Sequence, residues 1–233
     1  MNKSGIFYDS ANLVDFKKWF NAGILGGATT NPVILQKEGV FNIPEHIKEM
    51  IKVCGPGFPI SIEVPDSDMT ASEMIKLAFE YDQAFPENAV IKVPMDPRDM
   101  PKALYVISEL SKVGVSVNAT LGLTAGQLIA AAEAGADYIS LFWGRCEEAG
   151  GIGAEKTLIT VLNYLKKHKI DSEIIIGSIR NVEQIDRAFE LGADIVTIPP
   201  KLLEEWMFTQ RGVETADEFN EAYRSVKEKV RLI

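Results

Sequence analysis

The chain is poor in the residues that bind metals or cross-link. Of its 233 residues, two are cysteines and two are histidines. Cys54 and Cys146 are too few for a disulfide framework, so a reducing compartment is expected. Neither stands in a cysteine–histidine nucleophile motif. His46 and His168 are alone in helical, charged surroundings without metal-ligand spacing, so both read as surface residues and no metal site is expected. Positive charge is also scarce: Lys+Arg is 24 against Asp+Glu 33, a formal net charge of −9. That argues against general binding to nucleic acid or to an anionic membrane, both of which need a basic surface. A few arginines in a cleft still allow a local anionic site. Residues 1–5 run into Asp9, Asp15 and Lys17, which leaves no room for a signal-peptide core. The longest uncharged run, 113–132, has the length of a membrane helix. Ser116, Asn118, Thr120, Gly122 and Gln127 make it a strand, a loop and a helix start instead. A soluble, cytoplasmic protein is expected.

What is present is an ordinary globular composition, with 46% hydrophobic and 24% charged residues. Short apolar runs of strand length recur at 5–9, 27–31, 60–64, 89–94, 115–121, 138–143, 174–179 and 194–199. Most are continuously apolar rather than alternating, as in parallel strands covered by helices. A repeated unit carries the alternation. Ala134-Gly135-Ala136-Asp137 leads into one run and Leu191-Gly192-Ala193-Asp194 into another, each reading as a helix closed by glycine and followed by a strand.

Helix starts are marked by Thr70-x-x-Glu73, Thr124-x-x-Gln127 and Thr215-x-x-Glu218, which fit capping boxes, and by Asn181 with Gln184. No linker divides the chain. The expected architecture is an α/β (β/α)₈ TIM barrel forming a single domain over 1–233, with a C-terminal helix over 214–231. A doubly wound open sheet is the runner-up, but its G-x-G-x-x-G fingerprint is absent. The run from Gly150 to Thr157 hints at a P-loop, yet Glu155 stands where glycine must precede the lysine.

A barrel places its reactive groups at the C-terminal strand ends. Those ends carry Asp9, then Thr30 and Asn31, Glu63, Lys92, Asn118 and Thr120, Ser140, and Ser178 with Arg180. Buried without partners, such groups cost about 1–3 kcal/mol each, so their convergence points to a polar pocket at one barrel mouth. Lys92 has apolar neighbours on both sides. It is either a lysine that snorkels to water or a desolvated amine poised to attack a carbonyl. Glu63 either holds Lys92 as an ion partner or relays protons. Asp9 either caps the following helix or belongs to the pocket. Ser178 and Arg180 meet at a helix start, and Arg145 follows strand six. Singly these arginines read as surface ion pairs; together they suit a phosphate.

At these positions the sequence resembles the transaldolase family, in its short-chain subfamily close to fructose-6-phosphate aldolase. The motifs are Asp9-Ser10-Ala11-Asn12, Thr29-Thr30-Asn31-Pro32, Lys92-Val93-Pro94, Asn118-Ala119-Thr120-Leu121 with Gln127, Ser140 to Arg145, and Ser178-Ile179-Arg180-Asn181. In this order and spacing they are highly specific, and the likeness covers essentially the whole chain.

The resemblance implies that Lys92 forms a Schiff base with a ketose phosphate, that Asp9 takes the C4 hydroxyl proton, and that Glu63 and Thr120 act through a water. It implies that Asn31 and Asn118 hold hydroxyls, with Thr30, Ser140 and Phe142 also lining the substrate site. Arg145, Ser178 and Arg180 would grip phosphate. The iminium is the electron sink, so no cofactor is implied. Sugar-phosphate substrates and a homo-oligomer, pentamer or decamer, are implied as partners. Glu63, Ser140 and Phe142 look transaldolase-like, whereas the aldolase branch resembles Gln, Ala and Tyr at these places. Leu141, Trp143, the segment 95–101 and Tyr223 depart from the family pattern and bear on acceptor preference and subunit contacts. The alternatives are a free aldolase, a transferase for an unusual acceptor, and a non-catalytic sugar-phosphate-binding barrel.

Overall fold

The computed structural model describes residues 5–230. Eight strands close a parallel barrel in chain order, β1 next to β2 and onward until β8 returns to β1. They are β1 (Ile6–Asp9), β2 (Gly27–Thr29), β3 (Ile60–Glu63), β4 (Ala89–Pro94), β5 (Val117–Gly122), β6 (Tyr138–Phe142), β7 (Glu173–Gly177) and β8 (Ile195–Ile198). The helices are α1 (Leu13–Asn21), α2 (Pro32–Lys37), α3 (Ile43–Cys54), α4 (Ala71–Ala84), α5 (Met100–Lys112), α6 (Ala125–Glu133), α7 (Trp143–Ala149), α8 (Ala154–His168), α9 (Val182–Glu190), α10 (Pro200–Met207) and α11 (Gln210–Val226). The expected (β/α)₈ barrel is therefore the fold. No helix among the described residues is long and apolar enough to cross a membrane.

The continuous apolar look of the strands conceals two different faces. Successive side chains point to opposite sides. On the outer side Ile60, Ile62, Ile91, Val93, Ile139, Leu141, Ile174, Ile176 and Val196 are buried under the helices. Each such side chain contributes about 1.5–3 kcal/mol through burial. The inner side is apolar at one end only, where Phe7, Ile175 and Ile195 pack with Tyr138. Gly27 belongs to that end. A Cβ there would lie 2.4 Å from the Phe7 ring, so glycine makes room for the plug of the barrel. Further along most of the strands the inward positions turn polar.

Local signals fix most helix starts. Two of the three predicted capping boxes form, Thr70 with Glu73 and Thr124 with Gln127, and Asn181 accepts from the Gln184 N–H. Asn12, not Asp9, caps α1, its Oδ1 accepting from Val14 and Asp15. Thr215 is a correction. It lies inside α11, where its hydroxyl donates to the Arg211 carbonyl at 2.8 Å, so it caps nothing. The C-terminal helix starts at Gln210 rather than 214, ends at Val226, and passes into a 3₁₀ turn at Lys227–Lys229; residue 231 lies outside the described residues. His46 is also corrected. It is half-buried rather than on the surface, and desolvation lowers its pKa against an opposing hydrogen bond to the Ala11 backbone. His168 is exposed and stacks on Tyr164.

Candidate active site

Lys92 points into the barrel from β4 and is 4% exposed. Two oxygens meet its Nζ. The Thr30 carbonyl accepts a hydrogen bond at 2.8 Å, and Glu63 Oε2 stands at 2.8 Å as an ion partner off the hydrogen-bond direction. Register explains the meeting: Glu63 of β3 pairs with Lys92, and Lys92 pairs with Asn118 of β5. A buried ion pair gains little net stability over apolar packing, so its retention inside a barrel is a reason to look for chemistry there.

Asn118 is fully buried and satisfied from both sides. It donates to Ser61 Oγ at 3.2 Å and accepts from Ser140 Oγ at 2.7 Å, which ties β3, β5 and β6 across the interior. Thr120 pairs in register with Pro94, and its buried hydroxyl has no hydrogen-bond partner among the described residues. Such a group costs about 1–3 kcal/mol unless something polar reaches it. Just beyond it, the β5–β6 register shifts between Ala119 and Gly122, and Leu121 takes a left-handed φ of 69°. Gly122 follows because a Cβ there would lie 2.7 Å from the Ser140 carbonyl oxygen.

Asp9 ends β1. Thr29 Oγ1 donates to its Oδ1 at 2.7 Å, and Thr29 and Thr197 hydroxyls lie 2.6 Å apart. Burial raises the Asp9 pKa; the Thr29 hydrogen bond and then the Lys92 charge oppose that rise, Glu63 adds to it, and Arg145 counters weakly.

A cavity of about 140 Å³ opens above these groups. It gathers Asp9, Asn31, Lys92, Ser140, Phe142, Arg145, Ser178 and Arg180 of the predicted set, with Thr29 and Thr197 added. Asn31 reaches it while its Oδ1 accepts from the Ile34 N–H at 2.9 Å, capping α2. Glu63, Thr30, Asn118 and Thr120 do not line it. Glu63 touches Lys92, Asn118 holds Ser140, and Thr30 contributes its carbonyl while its hydroxyl donates to the Ser61 carbonyl.

The rim is basic. Arg145 lies 5.1 Å over the Phe142 ring, and Arg180 crosses Gly144 so closely that a Cβ there would come within 2.8 Å of it. Arg180 pairs with exposed Glu148 at 3.2 Å, a contact weak enough to exchange for another anion. Ser178 adopts a left-handed φ of 57°, and its buried Oγ has no protein partner among the described residues. Trp143 is buried among core side chains and borders a separate groove with Glu147, Ile152 and Asn181, away from Lys92.

The sequence assigns no role to Thr29, Ser61 or Thr197, although Thr29 stands in the Thr29-Thr30-Asn31-Pro32 motif. The available signal was alternation. Each is an inward position of its strand, and β8 was the strand without a polar candidate at its end.

The arrangement supplies a buried amine, a carboxylate in contact with it, a second carboxylate across the same cavity and two guanidinium groups at the mouth. That set suits reversible carbonyl–amine chemistry on an anionic substrate. A family model described as Transaldolase/Fructose-6-phosphate aldolase matches residues 6–231. A probable transaldolase of Exiguobacterium sp. is 36% identical over 211 residues, covering 89% of this chain and 93% of that protein. A probable transaldolase of Clostridium tetani is 35% identical over 223 residues, covering 94% and 98%. One of Agathobacter rectalis is 38% identical over 224 residues, covering 94% and 97%. The chain belongs to the transaldolase/fructose-6-phosphate aldolase family.

Proposed function

We propose that the protein is a transaldolase that moves a dihydroxyacetone unit from a ketose phosphate, sedoheptulose 7-phosphate or fructose 6-phosphate, to an aldose phosphate such as glyceraldehyde 3-phosphate or erythrose 4-phosphate. The observation that carries this reading is the Lys92 amine, buried against Glu63 and facing the same cavity as Asp9. Glu63 takes the Lys92 proton, and the free amine adds to the C2 carbonyl. The resulting carbinolamine loses its hydroxyl as water, and a water held between Glu63 and the unpartnered Thr120 hydroxyl carries the protons. Asp9 takes the C4 hydroxyl proton. The C3–C4 bond breaks, its electron pair passes into the iminium to give an enamine on Lys92, and the aldehyde product leaves. The enamine then attacks the acceptor aldehyde, Asp9 returns its proton to the new hydroxyl, and water releases the ketose. Asn31 and Ser140 orient the retained hydroxyls, while Arg145, Ser178 and Arg180 bind phosphate.

The second reading is a fructose-6-phosphate aldolase that releases free dihydroxyacetone. Phe142 in the cavity favours transfer, because a phenyl ring has no proton for the enamine. We also place the protein in the cytoplasm as a homo-oligomer, pentamer or decamer, with residues 1–233 working as one domain. Support for association is α11, which has no buried residue and leaves Phe219, Tyr223 and Val226 exposed along one face. Borohydride added with fructose 6-phosphate should fix an adduct on Lys92, detected by peptide mass. Free dihydroxyacetone should stay low with or without an acceptor, and a new ketose phosphate should appear only when erythrose 4-phosphate is supplied. An unmodified Lys92 would remove the imine mechanism, and acceptor-independent release would favour the aldolase.

A further inference from the structure

We propose that Thr29 and Thr197 are positioning residues for Asp9, a chain of two hydroxyl donors that pins Oδ1 and reserves Oδ2 for the proton exchanged with the substrate. The inference rests on the transaldolase reading and assigns roles to two residues beyond it.

Strand β1 runs between β2 and β8. Asp9 pairs in register with Thr29 on one side, and Phe7 pairs with Thr197 on the other. The two threonines therefore flank β1 and meet in front of it, 2.6 Å apart. Both are buried. A hydroxyl carries one proton. Thr29 gives its proton to Asp9 Oδ1, so Thr29 Oγ1 has only acceptor capacity left, and the Thr197 proton must point at it. The direction of the whole chain is set by the carboxylate at its end.

Neither hydroxyl is needed by the strands. Valine has nearly the same shape, favours strands as well, and leaves no polar atom inside the barrel. The two hydroxyl groups satisfy each other and end on Asp9. Their consequence is orientation: with Oδ1 held, the carboxylate cannot swing towards Lys92, and the proton it gains resides on Oδ2. The charged groups facing Asp9 are Lys92, Glu63 and Arg145. Among the influences that oppose the desolvation of Asp9, the Thr29 hydrogen bond is the largest, ahead of the Lys92 charge. Loss of either hydroxyl therefore makes the carboxylate harder to keep ionised.

The test compares Thr29→Val, Thr197→Val and the corresponding serine variants in the full-length protein, with fructose 6-phosphate as donor and erythrose 4-phosphate as acceptor. Imine formation does not use Asp9, so borohydride should fix the Lys92 adduct to the same extent in all of them. Turnover should fall about a hundredfold in Thr29→Val and about tenfold in Thr197→Val, with KM nearly constant, because the effect is confined to bond cleavage. The acid limb of kcat should move to higher pH in both valine variants, and serine should restore both the rate and the limb. Valine variants with unchanged kcat and acid limb would overturn the proposal, as would serine variants no better than valine. If the unsubstituted protein forms no Lys92 adduct, the imine reading and the positioning role fall together. An adduct with an unmoved acid limb removes the positioning role alone.

Discussion

Lys92 Nζ and Glu63 Oε2 stand 2.8 Å apart with side chains 5% and 11% exposed, brought together by direct register pairing of β3 and β4. In the proposed cycle this contact places a proton acceptor against the amine that must lose a proton before it can attack. Glu63→Gln keeps the shape and removes that acceptor. Turnover should fall by about 10²-fold or more, with adduct formation becoming rate-limiting in single-turnover quench experiments. Unchanged adduct kinetics would assign Glu63 to holding Lys92 only.

Asp9 is ionised against the cost of its own burial. Its folded pKa lies above the unfolded value, chiefly through desolvation. The folded state therefore binds the proton more tightly, and stability falls as pH rises from the unfolded pKa through the folded one. Above that window the buried carboxylate is ionised at the expense of stability. Asp9→Asn, which can still accept from Thr29, should raise the melting temperature at neutral pH while lowering kcat by about 10²–10⁴-fold. The stability gain should shrink as pH falls through the window. A variant less stable than the parent at pH 7 would contradict this.

Arg145 and Arg180 stand at the rim without deep burial, and the Arg180–Glu148 contact is the only ion pair at either arginine among the described residues. A charge-assisted contact to phosphate contributes about 1.5–3 kcal/mol. Arg180→Ala should therefore raise KM for fructose 6-phosphate about ten- to a hundredfold and leave KM for unphosphorylated fructose nearly unchanged. Equal losses on both sugars would argue that Arg180 shapes the loop after β7 rather than gripping phosphate.

Phe142 lines the cavity beneath the Arg145 guanidinium. Phe142→Tyr adds a hydroxyl where the enamine stands in the proposed cycle. Protonation of the enamine should then compete with transfer, and the ratio of free dihydroxyacetone to transferred product should rise about tenfold or more. A ratio unchanged from the parent would show that this position does not govern release.

Much of the fold was legible because the signals were local and repeated. Each of the eight apolar runs overlaps one strand, with β5 and β7 each reaching one residue outside its run, and Thr70, Thr124 and Asn181 start the helices they were expected to start. The failures share a cause. Thr215 with Glu218 has the spacing of a capping box, but a hydroxyl inside a helix can equally bond four residues back, and spacing alone does not separate the two. His46 looked exposed because its chain neighbours are charged; α3 turns it inward all the same. Trp143 departs from the family pattern and was expected to bear on acceptor preference, yet it is buried in the core.

The sequence by itself determined the order of strands and helices, the caps, and which strand ends carry polar groups, because these follow from hydrophobic period and short-range hydrogen bonding. Closure of the barrel decided the rest. It put Glu63 against Lys92, joined Thr29 to Thr197 in front of Asp9, and left Thr30 to act through its carbonyl. Those relationships depend on parallel register and on which alternate face turns inward, and both are fixed only when the last strand pairs with the first.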